Sequence, residues 1–372
     1  MTCDYFGVCG SCTLFDKSYE EQLTLKVDKV KEEFELDDID IITSKSSHFR
    51  DRAEFRIYHD GDKISYAMNT LEKRGLLQIQ SCSIVNQTIA DMMQNLIEEI
   101  APNPILKERI FAVEFLSSNT KELLVTLIYH KKIDTIWEDE AKKLASKLKI
   151  DLIGRSRGIK KIVTKEYINE TLTILEKKYH YRLYDTGFTQ PNSGVNEKMI
   201  GWVKDKIGKS DRDLLELYCG HGNFTLPLSS KFRQVLATEI SKRSIKSAKE
   251  NCELNNIENI DFVRLSSEEL TEALNKKREF NRLKDIDLDK FSFCTVFVDP
   301  PRAGLDAKSL DFIKKFERII YISCNPQTLK RDLTILKKSR YKITEFAVFD
   351  QFSYTEHLEC GVILSGSVAG YL

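Results

Sequence analysis

The chain has no net charge: 57 Lys and Arg are balanced by 57 Asp and Glu across 372 residues. No bulk polycation is therefore available to grip nucleic acid, and any such site must be a local patch. No run of eighteen apolar residues occurs, so there is no candidate membrane-spanning helix. The opening MTCDYFGVCG lacks a basic segment followed by an apolar stretch, so no export signal is read and a cytoplasmic location is expected. With 16 Gly and 7 Pro, collagenous and low-complexity readings are out. A composition of 41% apolar and 31% charged residues is that of an ordered chain, and its length exceeds what one hydrophobic core usually supports. Nine cysteines, an odd count without an export signal, argue for reduced thiols, a metal site or catalysis rather than a disulfide framework.

The text of the chain changes twice. After a head holding Cys3, Cys9 and Cys12, residues 16–34 read as an amphipathic helix through Tyr19, Leu23, Val27 and Val30. From about Phe49 to Ile128, strand-like runs (AEFRIYHDG, ELLVTLIYH) surround a helical stretch near Ile84 to Ile100, an α+β pattern. After Leu175 five apolar runs, DLLELY, QVLATE, IDFVRL, CTVFVD and RIIYIS, are mostly separated by helical segments. That alternation predicts a largely parallel sheet covered on both faces. ITEFAVF and GVILSG follow without a helix between them, which predicts an antiparallel pair at the sheet edge. The boundary between the two halves is placed near Lys177 to Asp185.

The run DLLELY leads into Cys219-Gly220-His221-Gly222-Asn223, a Gly-x-Gly turn where backbone passes close to a ligand. Thr225 and Leu226 follow where a dinucleotide fingerprint wants its third glycine, so a pyrophosphate-bearing cofactor is disfavoured. Glu239 ends the second strand, where a carboxylate can accept hydrogen bonds from both ribose hydroxyls. A nucleoside cofactor without a pyrophosphate, such as S-adenosylmethionine, fits this arrangement better than NAD. The fourth strand ends in Asp299-Pro300-Pro301-Arg302, where paired prolines stiffen a loop at the ligand-binding edge. Arg302 stands where methylases of exocyclic amines carry a stacking aromatic residue, so the target is read as something else.

The fifth strand brings Ser323-Cys324-Asn325-Pro326 to the same edge. Near the C-terminus, FDQFSYTEHLE supplies Glu356 and Glu359. A cysteine, a carboxylate and a methyl donor at one crevice suit methylation of uracil carbon 5, which is too weak a nucleophile to attack a methyl sulfonium unaided. Thiolate addition at carbon 6 activates it, and a base must afterwards remove the carbon 5 proton so that the cysteine leaves. Cys324 and Glu359 suit those roles, with Glu356 the rival base.

Through LLELYCGHGNF, VFVDPPRAGLD, YISCNPQTL and HLECGVIL the chain resembles the RNA uracil-5-methyltransferases. RAEFRIYHDG, LIYHKKID, FTQPN, REFNRL and FDQFSYTEHLECGV make it most similar to the tRNA-acting type, from about His48 onward. The resemblance implies an α/β fold: a Rossmann-like class I S-adenosylmethionine-dependent methyltransferase domain over 181–372, and an α+β RNA-binding region over 1–180. It implies methylation of uridine 54 in the tRNA T-loop, with the T-arm as partner, and no obligate protein partner is evident. Cys324 becomes the nucleophile and Glu359 the proton acceptor. Gln190, Tyr218, Gly220, Asn223, Glu239 and Asp299 become the residues that meet S-adenosylmethionine.

Cys3-x5-Cys9-x2-Cys12, with Cys82 later, is a separate signal, since thiolates so spaced can converge on a metal or cluster. CDYFGVCGSC resembles the head of the ribosomal-RNA members of the family, which implies a [4Fe-4S] cluster; four sulfur ligands also fit zinc. This head makes 23S ribosomal RNA the alternative substrate, and an RNA-binding module without turnover is a third reading. Strand alternation over residues 48–59 puts Arg50, Arg52, Arg56 and Tyr58 on one face, a candidate RNA strip to which the basic run RSRGIKKIVTK adds a patch. Neutralising Arg52 and Arg56 is expected to weaken RNA binding and spare cofactor affinity.

Overall fold

The structure is a computed structural model that describes residues 2–72 and 74–366. Helix α1 (Tyr19–Phe34) starts at Ser18, whose hydroxyl accepts from the Glu21 amide while the Glu21 carboxylate takes the Ser18 amide. This reciprocal cap satisfies two of the amides that a helix start leaves orphaned. The helix stops at Glu35, in the left-handed region at φ 56°. A short strand β1 (Asp40–Ile42) follows.

A seven-stranded sheet comes next, formed by β2 (Arg52–Asp60), β3 (Lys63–Asn69), β4 (Leu76–Ile79), β5 (Ile110–Ser117), β6 (Leu123–Tyr129), β7 (Asp151–Ser156) and β8 (Ile159–Ile162), in the order β4-β3-β2-β5-β6-β7-β8. The helices α2 (Gln87–Ile100), α3 (Pro104–Lys107) and α4 (Thr135–Leu148) bury Ile89, Met93, Leu96, Leu106, Trp137 and Leu144 in one core with Phe55, Val113, Phe115 and Val125 of the strands. Alternation along β2, with Phe55 and Ile57 buried and Glu54, Arg56 and Tyr58 exposed, is that of a strand packed on one side. A separate antiparallel hairpin, β9 (Tyr167–Ile174) with β10 (Lys177–Tyr184), lies beyond.

The rest is the alternating half: α5 (Ser193–Lys206), β11 (Asp213–Leu217), α6 (Thr225–Ser229), β12 (Val235–Thr238), α7 (Lys242–Leu254), β13 (Ile260–Val263), α8 (Ser267–Leu274), β14 (Phe293–Val298), α9 (Ala307–Ile313), β15 (Arg318–Ser323), α10 (Pro326–Lys338), β16 (Tyr341–Phe349) and β17 (Glu359–Gly366). β11, β12, β13, β14 and β15 pair in parallel. Every residue of β11, β12 and β14 is buried, as a sheet covered on both faces requires.

The expected edge pair is placed differently. β17 inserts between β15 and β16, antiparallel to both, and the edge strand is β1, parallel to β16. Trp202 on α5 holds β1 there by donating to Asp40 at 2.7 Å, and α1 packs Val27, Val30 and Phe34 into the core of this sheet. Sheet membership therefore does not follow a single cut near residue 180: α1 and β1 belong with the eight-stranded sheet. Among the described residues no helix is long and apolar enough to cross a membrane.

Candidate active site

Because β12, β11, β14 and β15 are parallel neighbours, their carboxyl ends open on one edge, where such sheets bind ligands. The turn after β11 is built for close approach. Tyr218, Gly220 and Gly222 all have positive φ, at 62°, 56° and 88°, and a Cβ on Gly222 would stand 2.5 Å from Leu226 Cδ1. Glu239, one residue past β12, has its carboxylate held by two backbone amides, from Gly220 at 3.2 Å and Ser241 at 2.8 Å. Asn223 and Asn196 exchange amide hydrogen bonds at 2.9 Å in both directions, tying the turn to α5. Gln190 and Asn223 line a small polar cavity with Asp51, Ser193 and His221. Burial pushes the His221 imidazole down to about 4, so it is neutral at physiological pH. Phe188 and Ile240 are left 73% and 70% exposed beside these residues in sequence, an uncommon amount of bare apolar surface for two large side chains next to cofactor candidates.

At the other end of the edge, Ser323 on β15 pairs with Cys360 on β17. The next residues along, Cys324 and Glu359, are thereby brought together. Cys324 sits just before the N-cap Asn325 of α10, and Asn325 donates to the Arg302 carbonyl at 3.0 Å, joining the nucleophile turn to the diproline loop. The Cys324 thiol is raised by burial first, then by the charges of Glu359 and Asp299, and lowered by Arg302. Glu359 is 3% exposed, its Oε2 has no hydrogen-bond partner, and burial with the neighbouring Asp299 pushes it up to about 8. Asp299 is raised to about 7 by burial. Glu356, the rival base, is exposed. Two groups went unnoticed in the sequence: Glu216 on β11, raised to about 8 by burial, and Gln351, fully buried with neither amide atom partnered. A charge inside the wholly buried strand DLLEL was a readable signal for the first.

Cys3, Cys9, Cys12 and Cys82 line one cavity of about 210 Å³ together with Phe49, Arg50, Phe352 and Thr355. Gly10 lets this head approach the sheet, since a Cβ there would stand 2.8 Å from the Thr70 carbonyl oxygen. The thiols share a cavity without forming a coordination sphere: among the described residues no group of three or more His, Cys, Asp or Glu could hold a metal ion. Burial, then the neighbouring thiols, pushes Cys12 up to about 12. The expected metal site is thus present as a shared cavity only. Cys219, Cys252, Cys294 and Cys360, treated in the sequence as core thiols, are buried.

The candidate RNA strip divides. Arg56 and Tyr58 are exposed, Arg50 lines the thiol cavity and donates to the Arg52 carbonyl at 2.9 Å, and Arg52 is occupied. Its guanidinium pairs with Glu114 and donates to the carbonyls of Gly187 at 2.6 Å and Asp185 at 2.5 Å. Within the basic run, Arg155 pairs with Glu114 and Asp185, Lys160 with Asp185 and Glu166, Lys161 with Glu138, and Lys165 with Glu122 and Asp151. These internal pairs correct the reading of that run as a free basic patch.

Comparison with known proteins gives the family. A family model described as tRNA (Uracil-5-)-methyltransferase matches residues 18–367. The chain is 54% identical to the tRNA/tmRNA (uracil-C(5))-methyltransferase of Aliarcobacter butzleri, over 98% of this chain and 99% of the relative. It is 47% identical to the protein of the same description from Acinetobacter baylyi, over 94% and 99%. The crystal structure of the Pyrococcus abyssi tRNA (uracil-54, C5)-methyltransferase in complex with S-adenosyl-L-homocysteine superposes with a TM-score of 0.74 at 22% identity, covering 96% of this chain and 86% of that one. At that identity the likeness carries the fold.

Proposed function

This chain belongs to the tRNA (uracil-5-)-methyltransferase family, and from that premise we propose that it methylates carbon 5 of uridine 54 in the tRNA T-loop through a covalent cysteine adduct. The observation that carries the mechanism is the β15–β17 register, which sets Cys324 beside Glu359 with Asp299 close enough to act on both. The names of the relatives extend the proposed substrates to tmRNA. We assign RNA binding to residues 1–180, apart from α1 and β1, which pack with the catalytic sheet, and catalysis to 181–372, at work in the cytoplasm.

The residues at the edge fit S-adenosylmethionine: Glu239 is set for ribose hydroxyls, the turn Tyr218 to Asn223 leaves room for close approach, and Gln190 and Asp299 complete the crevice. When bound, S-adenosylmethionine supplies an electrophilic methyl group. The target uridine must leave its stack to reach Cys324. The thiolate of Cys324 bonds to carbon 6, and the electron pair displaced from the C5=C6 bond lets carbon 5 take the methyl group, with S-adenosylhomocysteine leaving with the electrons of the broken S–CH3 bond. Glu359 then accepts the carbon 5 proton. The electrons of that C–H bond re-form C5=C6, and the thiolate leaves carbon 6. Glu359 can accept this proton only when it is itself ionised, so the burial that raises it sets the pH at which it works.

Transfer of labelled methyl to unmodified tRNA and 23S ribosomal RNA transcripts tests the assignment, with Cys324→Ala as control. Label confined to the T-loop uridine is expected. Label in ribosomal RNA alone would reverse the substrate, and label in neither would leave an RNA-binding module.

Cys3, Cys9, Cys12 and Cys82 line one cavity, and a [4Fe-4S] cluster is the group we propose that they hold, with zinc the alternative that four sulfur donors also fit. Anaerobically purified protein is expected to contain iron and acid-labile sulfide; zinc with neither would remove the cluster.

A further inference from the structure

Glu359 is delivered by the loop between β16 and β17, whose last and first residues, Phe349 and Glu359, are paired. The ladder fixes the backbone of Glu359, but nothing hydrogen-bonds its Oε2. The chain reaches Glu359 through the loop Asp350 to Leu358, and the N-terminal segment holds that loop. Lys26 on α1 forms an ion pair with Asp350, their side chains 3% and 0% exposed. The same ammonium lies 3.4 Å from the carbonyl oxygens of both Phe352 and His357. The second oxygen of Asp350 takes the Ser353 hydroxyl at 2.7 Å. Gln22, one turn before Lys26, accepts the Tyr354 amide at 3.2 Å, and the Leu14 amide donates to the Tyr354 carbonyl at 3.0 Å. Tyr354 itself is held at φ 62°, a conformation that a tyrosine keeps only where its surroundings impose it.

A buried ion pair is a poor source of net stability, because a well-packed apolar pair often does as well. What this one supplies is geometry: a single ammonium reaches both ends of a nine-residue loop and its first carboxylate. We propose that Lys26 and Asp350 are positioning residues that hold the 350–358 loop so that Glu359 faces the carbon 5 proton of the adduct. The proposal rests on Glu359 being the base, and it predicts a defect confined to the second half of the cycle. Thiol addition and methyl transfer use Cys324 and the β11–β14 edge, which Lys26 does not touch, whereas elimination needs the Glu359 carboxylate in place.

The test follows a single turnover of labelled T-arm RNA on the full chain, with covalent RNA–protein adduct read on a denaturing gel and methyl transfer read separately. Lys26→Met is compared with Lys26→Met/Asp350→Leu, which replaces the pair by apolar volume and keeps the experiment informative should the single variant not fold. Both are expected to transfer methyl and bind S-adenosylmethionine as the unmodified chain does. Both should accumulate methylated adduct, with elimination slowed about 10- to 100-fold, the scale of an ångström-level misplacement. If the folded double variant eliminates at the unmodified rate, or loses methyl transfer and elimination equally, the positioning role is overturned. Glu359→Gln, run in parallel, separates the two ideas. If it builds adduct and the double variant does not, only the positioning falls; if it builds none, the base assignment falls and takes the proposal with it.

Discussion

The guanidinium of Arg52 donates to the carbonyl oxygen of Gly187 at 2.6 Å, so a strand of the seven-stranded sheet holds the loop in which Gln190 lies. The Asp185 carboxylate at the start of that loop is taken by Arg155 and Lys160. The loop proposed to meet the cofactor is therefore fastened by cations from β2, β7 and β8.

Arg52→Gln is accordingly expected to raise the S-adenosylmethionine dissociation constant about tenfold, the loss of one charge-assisted contact set. Arg56→Gln should leave it unchanged, weaken RNA binding, and lower the salt slope by about one. Titration calorimetry and filter binding at several salt concentrations separate the two. Equal effects of both variants on RNA alone would restore Arg52 to the RNA strip.

The βαβ half of the fold was legible because its central strands β11, β12 and β14 are wholly buried and read as continuous apolar runs, and the Gly-x-Gly turn, Glu239, Asp299 and Cys324 all sit at ends of the sheet's strands. β1 was not legible, since its three residues, two exposed and one half-buried, carry no periodicity of their own and join the sheet only through β16. Strand alternation correctly put Arg52 on the face opposite Phe55. It could not show that Glu114, Asp185 and Gly187 wait there, because those partners come from residues 62 to 135 positions away. The same limit hid the pairing of Lys26 with Asp350, which lie 324 positions apart.

The two groups assigned to chemistry both start protonated near neutrality. Glu359 lies at about 8, and the Cys324 thiol is raised by its own burial and by Glu359 and Asp299. Each acts only when ionised, so single-turnover rates are expected to climb with pH up to and through about 8 rather than pass through an optimum below 7. A stopped-flow or quench series over about pH 6 to 9 measures this. A rate that is flat over that range would mean that substrate binding ionises both groups beforehand.

Glu216, Asp299 and Glu359, at about 8, 7 and 8, are carboxyl groups wholly or partly protonated near neutrality, and the sulfonium of S-adenosylmethionine is proposed to lie near them. A nearby cation favours their ionised forms. Cofactor binding at about pH 7 should therefore release protons to the buffer, seen as a binding enthalpy that changes with the buffer's ionisation enthalpy. S-adenosylhomocysteine, which carries no sulfonium charge, should release fewer. Equal release by both ligands would remove the electrostatic coupling.

These raised carboxyls also set a stability prediction. An acid whose folded value lies above its unfolded value binds its proton more tightly in the folded state. It therefore penalises folding increasingly as pH rises from the unfolded value to the folded one, and by a constant amount beyond. For Glu359 that window runs from 4.5 to about 8. Glu359→Gln keeps the shape and removes the ionisation, so its Tm should match that of the unmodified chain near pH 4, exceed it by a margin that widens toward pH 8, and hold that margin above. A margin independent of pH would show that Glu359 is accommodated as an ion at no cost, and that its unpartnered Oε2 is solvated in the folded protein.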